Sequence, residues 1–286
     1  MSLAFLVPDA SPTRELHARS PMERLALAAG ARLARVQGWN VPNAYDEPLV
    51  ERARITQTVG FADRSALVKL ELQGEPRTLA QIVARASDGL ALDPGVAGRA
   101  ASGGLAGTWW CPVTPSRVLV LGAPTAAAAV RESVAGAVAH ATRMHESAAG
   151  IVADAAAVRE AAAVRDAAAA REAAASADAQ GTVTVVDVTC ALAALSLIGP
   201  GARELLARFC AIDVRPAIAP PAAFRPGSVA RTPGYVLVEA HDRLLVLVGW
   251  ALGEYLWRVV ADAAAHLGGG PVGAEALIHH LESADA

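Results

Sequence analysis

The sequence predicts an α+β fold made of two internally duplicated β-α-β-β-α halves with antiparallel sheets. Asp63-Arg-Ser65, followed by a strand that ends at Gly74, recurs as Asp187-Val-Thr189, followed by a strand that ends at Gly199. The two aspartates are 124 positions apart. The strand that begins at Arg117 recurs at Arg243, 126 positions later. Solenoid repeats have periods of roughly 20–50 residues, so this longer spacing indicates a duplicated subdomain.

Each half shows the same order of elements, namely a strand, a helix, a two-stranded hairpin and a second helix. The strands that end at Gly74 and Gly199 lead into helix-like stretches at Pro76–Arg85 and Gly201–Phe209. The predicted hairpins pair Thr108–Val113 with Arg117–Leu121 and Tyr235–Val238 with Arg243–Val248. Because only short turns separate these strands, they are expected to pair in antiparallel fashion.

The remaining segments complete the predicted organisation. Residues 1–20 read as a polar lead-in, the first half as residues 21–145 and the second as residues 182–286. Between the halves, an Ala-rich repeat of period six predicts one inserted helix over residues 150–180, because alanine is the best helix former. This insert is interpreted as low-complexity sequence, with a partner-binding arm as the alternative. Near the N-terminus, we predict a helix over Met22–Arg35, a turn at Gly38–Pro42 and a helix over Pro48–Thr58.

Composition argues against several classes of function. The formal net charge is −3 and the basic residues are scattered, which argues against a nucleic-acid partner. The N-terminal run Leu3–Val7 lacks a basic region, and no run of about 18 apolar residues is present, so neither a signal peptide nor a membrane span is expected. Three cysteines without a CxxC pair indicate small buried hydrophobes in a reducing compartment. The protein is therefore expected to be cytoplasmic.

Common catalytic and metal-binding motifs are not found in the sequence. His140 and His145, and the adjacent His279 and His280, do not have the spacing of metal ligands on one helix face, so no metal is expected. The turn at Gly199-Pro-Gly201 lacks the third glycine of a dinucleotide loop. It is interpreted as a structural turn.

Asp63 is the candidate catalytic residue. A structural explanation is open for it and for Asp187, because each precedes a hydroxyl residue by two positions and so fits an Asx or ST turn. A functional explanation is also open for Asp63, since Trp39, Tyr45 and Arg64 are close in sequence and offer an aromatic face and charge to a heteroaromatic ligand. Three arginines, Arg14, Arg24 and Arg231, are candidates to hold a carboxylate.

The same stretches resemble a known family. Gly30-Ala-Arg32, Gly38-Trp-Asn-Val-Pro42 and Gly60-Phe-Ala-Asp-Arg-Ser65 resemble the N-terminal part of the glycine-cleavage T-protein (aminomethyltransferase) family. Asp187-Val-Thr189 and Gly199-Pro-Gly-Ala-Arg203 are similar to its second half. They are closest to the folate domains of dimethylglycine and sarcosine oxidising enzymes, including the sarcosine oxidase gamma subunit. The resemblance covers most of residues 20–280 outside the insert and implies a duplicated fold with tetrahydrofolate bound centrally.

The sequence departs from this family at the chemistry. The family's acidic catalytic loop is represented by Gly103-Gly-Leu-Ala-Gly107, without its acids, and the glutamate that holds the pterin falls on Leu245. The resemblance therefore implies a degenerate site. In that site Asp63 is the motif-matched catalytic carboxylate, and the folate or substrate contacts are Trp39, Tyr45, Arg64 and Arg231.

Three functions follow from the sequence and the resemblance. The first is a tetrahydrofolate-dependent transferase that takes an aminomethyl or methyl group from a small-molecule donor. The second is a non-catalytic folate-domain subunit that docks on an oxidase or transferase partner, as in a sarcosine or dimethylglycine oxidase complex. The third is a small-molecule binding module that has lost folate. Whether the chain is an enzyme is left open at this point.

Overall fold

The structure, a computed structural model, describes residues 17–160 and 183–284. In these ranges it contains seven helices, α1 Glu23–Ala28, α2 Pro48–Gln57, α3 Pro76–Ala86, α4 Ala127–Glu160, α5 Ala202–Ala207, α6 Gly253–Ala265 and α7 Ala274–Ala284. It also contains thirteen strands, β1 Arg32–Val36, β2 Trp39–Ala44, β3 Gly60–Asp63, β4 Val68–Gln73, β5 Gly98–Arg99, β6 Trp109–Thr114, β7 Arg117–Gly122, β8 Thr184–Asp187, β9 Leu192–Ile198, β10 Phe224–Val229, β11 Thr232–Ala240, β12 Arg243–Gly249 and β13 Gly270–Pro271.

The strands form a small hairpin, β1-β2, and two larger sheets. One sheet has six strands in the order β10-β11-β12-β9-β3-β13, and the other has five in the order β5-β6-β7-β4-β8. Pairing is antiparallel throughout except between β13 and β3. The predicted α+β class and both predicted hairpins, β6-β7 and β11-β12, are confirmed.

The two large sheets pack face to face, with helices on their outer faces. Alternation along each strand places one set of side chains outward and the other between the sheets. Outward residues of the six-stranded sheet, such as Leu195 and Val246, pack with residues of α1, α5 and α6. Outward residues of the five-stranded sheet, such as Leu72 and Val120, pack with residues of α3 and α4. A third apolar cluster lies between the sheets.

The two halves of the chain exchange strands. β3 precedes the first turn but pairs with β9 of the second half, and β8 of the second half pairs with β4 of the first. The turns after β3 and β8 therefore carry the chain from one sheet to the other. The N–H of Arg64 donates to the carbonyl of Ala194 at 2.9 Å, and the N–H of Val188 donates to the carbonyl of Lys69 at 2.9 Å. This repeated bond relates the halves by an approximate two-fold axis.

The N-terminal region differs from the sequence prediction. The helix predicted over Met22–Arg35 ends at Ala28, and Gly30 has φ +90°. The chain then forms β1, and the predicted turn at 38–42 is reduced to Gln37 and Gly38, with φ +49° and +78°. A type I′ two-residue hairpin turn needs positive φ at both of its residues, and Gln37 and Gly38 meet this requirement. Trp39 is therefore the first residue of the second strand of the hairpin. The helix predicted over Pro48–Thr58 is confirmed as α2.

The Ala-rich region is continuous with the last helix of the first half. α4 runs from Ala127 to Glu160 without a break, so it includes the first part of the predicted insert. The remainder of that insert, like most of the predicted lead-in, lies outside the described residues. Among the helices of the described ranges, none is long and apolar enough to cross a membrane. Cys111 and Cys210 are buried as expected, but Cys190 is exposed, so that expectation is wrong for Cys190.

The turn at Gly199 gives a testable prediction. Gly199 has φ +112°, and a Cβ there would lie 2.5 Å from the carbonyl oxygen of Ile55. We expect Gly199→Ala to lower the free energy of unfolding by about 3 kcal/mol or more, measured by urea denaturation. The control is Gly30→Ala, where φ is +90° but nothing lies within 4 Å, and where we expect a loss of about 1 kcal/mol. Equal losses would show that the close approach at Gly199 is unimportant.

Candidate functional site

The repeated aspartates form the two turns at which the chain changes sheets. Oδ1 of Asp63 accepts the N–H of Ser65 at 2.9 Å, and Oδ1 of Asp187 accepts the N–H of Thr189 at 2.9 Å. Each hydroxyl then accepts a backbone N–H from the other half, at 3.2 Å for Ser65 and 3.1 Å for Thr189. The Asp-x-Ser/Thr motif therefore joins the two halves of the fold.

The second carboxylate oxygen distinguishes the two aspartates. Oδ2 of Asp187 accepts two N–H groups of Arg131, at 2.9 and 3.0 Å. Although partial burial opposes the shift, hydrogen bonds from Thr189 and the pair with Arg131 lower the pKa of Asp187. Oδ2 of Asp63 is buried and has no hydrogen-bond partner among the described residues. Burial raises the pKa of Asp63 and outweighs the lowering by the nearby hydroxyl of Ser20 and by Ser65 of the turn.

Tyr45 lies in the core close to Asp63. It is buried, and its ring lies 6.2 Å from that of Trp257, which also contacts Phe61 at 5.1 Å. Burial and then the charge of Asp63 raise the pKa of the Tyr45 hydroxyl. That hydroxyl is buried without a hydrogen-bond partner in the described ranges. Asp63 and Tyr45 are thus brought together beneath α6, inside the packed core.

Arg64 is engaged by an acidic residue that sequence reasoning missed. Its Nη1 donates to both carboxylate oxygens of Glu239 at 2.8 Å and to Oγ of Ser196 at 3.3 Å. Nε of Arg243 lies 3.3 Å from the same carboxylate. Glu239 occupies a β-bulge of β11, and a bulge redirects a side chain in a way that sequence alternation does not reveal.

Arg231 lies away from the other predicted site residues. It is exposed in the turn between β10 and β11, with φ +63°. Asp63 is on β3, and β9 and β12 separate β3 from β11. These three strand spacings alone amount to about 14 Å. The structure therefore brings Asp63 and Tyr45 together, directs the side chain of Arg64 toward Ser196 and Glu239, and leaves Arg231 outside both groups.

Trp39 lines a cavity on the first half, which we call the Trp39 cavity. Its indole lies 6.1 Å from that of Trp250 in an edge-on arrangement. The cavity has a volume of about 300 Å³, near the lower limit of ligand pockets. It lies between the β1-β2 hairpin, both sheet-changing turns and the start of α4. Its lining residues are Gln37, Trp39, Ala66, Val68, Pro124, Thr125, Ala127, Ala128, Arg131 and Thr189.

Lys69 holds the two sheet-changing turns together. It is the only lysine of the chain and is fully buried. Its Nζ donates to the carbonyls of Ser65 at 2.7 Å, Leu67 at 3.0 Å and Thr189 at 3.1 Å. Burial lowers its pKa to about 8. Lys69 was not among the residues predicted from the sequence, although its being the one lysine among 25 basic residues marks it as unusual.

The space between the sheets is occupied by buried apolar side chains. Leu245 is fully buried there, on the inner face of β12. The other members of the inter-sheet cluster are 8% exposed or less, and they are Leu67, Ala97, Trp109, Cys111, Leu119, Leu121, Ala194, Phe224, Leu237 and Leu247. Gly103–Leu105 forms a short helical turn without an acid. In the described part of the chain, no group of three His, Cys, Asp or Glu residues could hold a metal.

The contrast between the aspartates predicts opposite effects on stability. Because burial raises the pKa of Asp63, the native state holds that proton more tightly than the unfolded state. Its ionisation therefore costs stability as pH rises from about 3.8 through the native pKa. We expect Asp63→Asn to raise Tm at pH 7, since asparagine can still accept the Ser65 N–H, and to have little effect near pH 3.

Asp187→Asn is the matched control for that prediction. The pKa of Asp187 is lowered, so its contribution to stability is present above about pH 4 and is lost as pH falls. We expect the asparagine to lower Tm at pH 7, because the loss of an exposed ion pair lowers the free energy of unfolding by at most about 1 kcal/mol. Thermal unfolding at both pH values measures the two effects. A lower Tm for Asp63→Asn at pH 7 would contradict this explanation of the buried carboxyl.

Comparison with known proteins gives the fold. No protein-family model matches the chain, and no curated protein sequence matches it significantly. One chain of the heterotetrameric sarcosine oxidase from Corynebacterium sp. U-96, in complex with pyrrole 2-carboxylate, is 16% identical with a TM-score of 0.55. The match covers 90% of this chain and 99% of that one.

The glycine cleavage system aminomethyltransferase T from Bartonella henselae is 13% identical with a TM-score of 0.58. This match covers 91% of the present chain but 60% of the aminomethyltransferase. The chain therefore has a T-protein-like fold, as the sequence resemblance implied.

Proposed function

We propose that this chain is a non-catalytic subunit of a heteromeric oxidase-type complex. The observation that carries this proposal is the filled space between the sheets. A folate bound between the sheets would have to displace a cluster that includes Leu119, Leu237 and Leu245, all 1% exposed or less. Removing several large side chains from a packed core costs about 2–5 kcal/mol each. A scaffold role requires no such opening.

Two further observations support a subunit role. The matched chain of a heterotetrameric oxidase is covered almost completely, at 99% of its length. The candidate folate contacts are also engaged within the protein itself. Arg64 is paired with Glu239, and Tyr45 packs against Trp257.

Co-purification tests this proposal. The full-length chain carrying an affinity tag, expressed from its own locus, is expected to retain a second polypeptide with sarcosine-dependent or related amine-dependent oxygen consumption. The isolated chain should show none of this activity. If the chain purifies alone and transfers a one-carbon group to tetrahydrofolate by itself, the subunit proposal is wrong.

A second candidate function rests on the carboxyl of Asp63. A buried carboxyl with a raised pKa and a free oxygen is suited to act as a general acid. In a tetrahydrofolate-dependent transferase, it would protonate the departing amine nitrogen as the bond to the one-carbon group breaks and folate nitrogen takes that group. Asp63→Asn distinguishes the two functions, because it would abolish transfer by an enzyme while leaving partner binding by a scaffold unchanged.

A further inference from the structure

The Trp39 cavity has an internal counterpart in the second half of the chain. Val68 and Ala127 line the cavity. The duplication places Ala193 and Gly253 at the equivalent positions, where β9 and α6 begin in place of β4 and α4. These two residues are adjacent, since a Cβ on Gly253 would lie 3.4 Å from that of Ala193. The second half therefore has an equivalent site between the start of β9 and the start of α6, which we call the second seat.

That second seat is occupied by the chain itself. Pro21 lies against α6, with its Cγ 2.6 Å from the position of a Cβ on Gly253. The N–H of Met22 donates to Oγ of Ser20 at 3.0 Å, which closes the segment into a turn. Met22 is fully buried beside it. A Ser-Pro-Met turn thus fills the position that is open as the Trp39 cavity in the first half.

The lining of the Trp39 cavity suits the same kind of occupant. Ala66, Val68 and Ala128 are small apolar lining residues, and the aromatic residue Trp39 lines the cavity beside them. Thr125 is a polar residue of the same lining. Arg131, the charged residue of the lining, is already paired with Asp187 and so creates no strong demand for an anion.

We propose that the Trp39 cavity is a docking seat for a proline-containing turn of a partner polypeptide. The existence of that partner rests on the proposed function, whereas the seat itself is tested without the partner. The probe is a synthetic peptide with the sequence of residues 18–24, Ala-Arg-Ser-Pro-Met-Glu-Arg, because this sequence forms the observed turn in the equivalent seat.

Calorimetric titration of this peptide into the full chain tests the seat. We expect saturable binding that weakens about tenfold when alanine replaces the peptide's proline. Ala128→Leu, which fills the cavity from an exposed position of α4, should weaken binding by at least about tenfold. Ala135→Leu is the matched control, because Ala135 is also exposed on α4 and is not a lining residue. It should leave affinity unchanged, and both variants should keep the wild-type Tm.

Three results would overturn this inference. The first is the absence of peptide binding at about 1 mM, which corresponds to about 4.1 kcal/mol of binding free energy. The second is equal affinity of the two leucine variants for the peptide. The third is equal affinity of the protein for the peptides with and without proline. If tetrahydrofolate rather than the peptide binds in a manner blocked by Ala128→Leu, the cavity is a small-molecule pocket. If only the proposed function is wrong, the peptide will still bind to the Trp39 cavity, but no oxidase will co-purify with the chain.

Discussion

Replacing Glu239 by alanine is expected to lower the free energy of unfolding by about 3–5 kcal/mol. The carboxylate lies between the guanidinium groups of Arg64 and Arg243, and the three side chains are exposed by 4%, 18% and 6% respectively. Removing it leaves two cations in the core without a counter-charge. Urea denaturation at pH 7 measures the lost free energy of unfolding. Partial unfolding of the variant at low urea concentration is an expected sign of this loss.

A surface glutamate provides the control for this prediction. Glu254 pairs with Arg24, whose side chain is 67% exposed, so Glu254→Ala should cost at most about 1 kcal/mol. A second variant keeps the test informative. The equivalent bulge of the first half carries an apolar residue, Val113. Glu239→Val combined with Arg64→Leu, which removes one of the two unpaired cations, should therefore be more stable than Glu239→Ala. A loss for Glu239→Ala as small as that for Glu254→Ala would contradict the assigned role.

Lys69→Met is expected to cost about 3 kcal/mol or more. The ammonium donates to three backbone carbonyls at the point where the halves cross, and each buried acceptor that loses its donor costs about 1–3 kcal/mol. Removal of a buried charge offsets part of this loss. Thermal and urea unfolding measure the effect. A variant as stable as the wild type would show that Lys69 does not hold the crossing together.

The pH dependence of this residue can be measured directly, because the chain contains a single lysine. Its native pKa of about 8 lies below the ordinary 10.5, so the native state binds the proton less tightly than the unfolded state. The contribution of Lys69 to stability should therefore rise between pH 8 and 10.5, a slope that Lys69→Met lacks. Nuclear magnetic resonance of ¹³C-labelled lysine should show one resonance with a midpoint near pH 8, and a midpoint near 10.5 would contradict the burial argument.

The fold was largely predictable because its information is local and repeated. Hydrophobic alternation and short turns at 114–116 and 241–242 specify the hairpins, and glycine specifies the turn at Gly199. The exchange of β3 and β8 between the sheets was not predictable from these signals. It depends on bonds between residues over a hundred positions apart, such as Arg64 with Ala194. The helix predicted beyond Ala28 failed because the positive φ at Gly30 and Gly38 redirects the chain into a hairpin.

The candidate site was less predictable for a related reason. Asp63 and Tyr45 are brought together, but the side chain of Arg64 is paired with Glu239, 175 positions away in the sequence. The bulge that aims Glu239 inward leaves no periodic trace in the sequence. The sequence did indicate that acids are missing from Gly103–Gly107 and that leucine stands at position 245. That Leu245 closes the space between the sheets depends on its ten neighbours in the inter-sheet cluster, which only the assembled structure brings together.

Calorimetric titration of tetrahydrofolate into the purified full chain tests the central claim most directly. With the space between the sheets filled by apolar side chains, we expect no saturable heat up to high micromolar folate, for either the wild type or Asp63→Ala. One-to-one binding to the wild type that is lost in Asp63→Ala and persists in Ala128→Leu would place folate at the centre of the molecule. That result would contradict the account and favour a folate-dependent transferase.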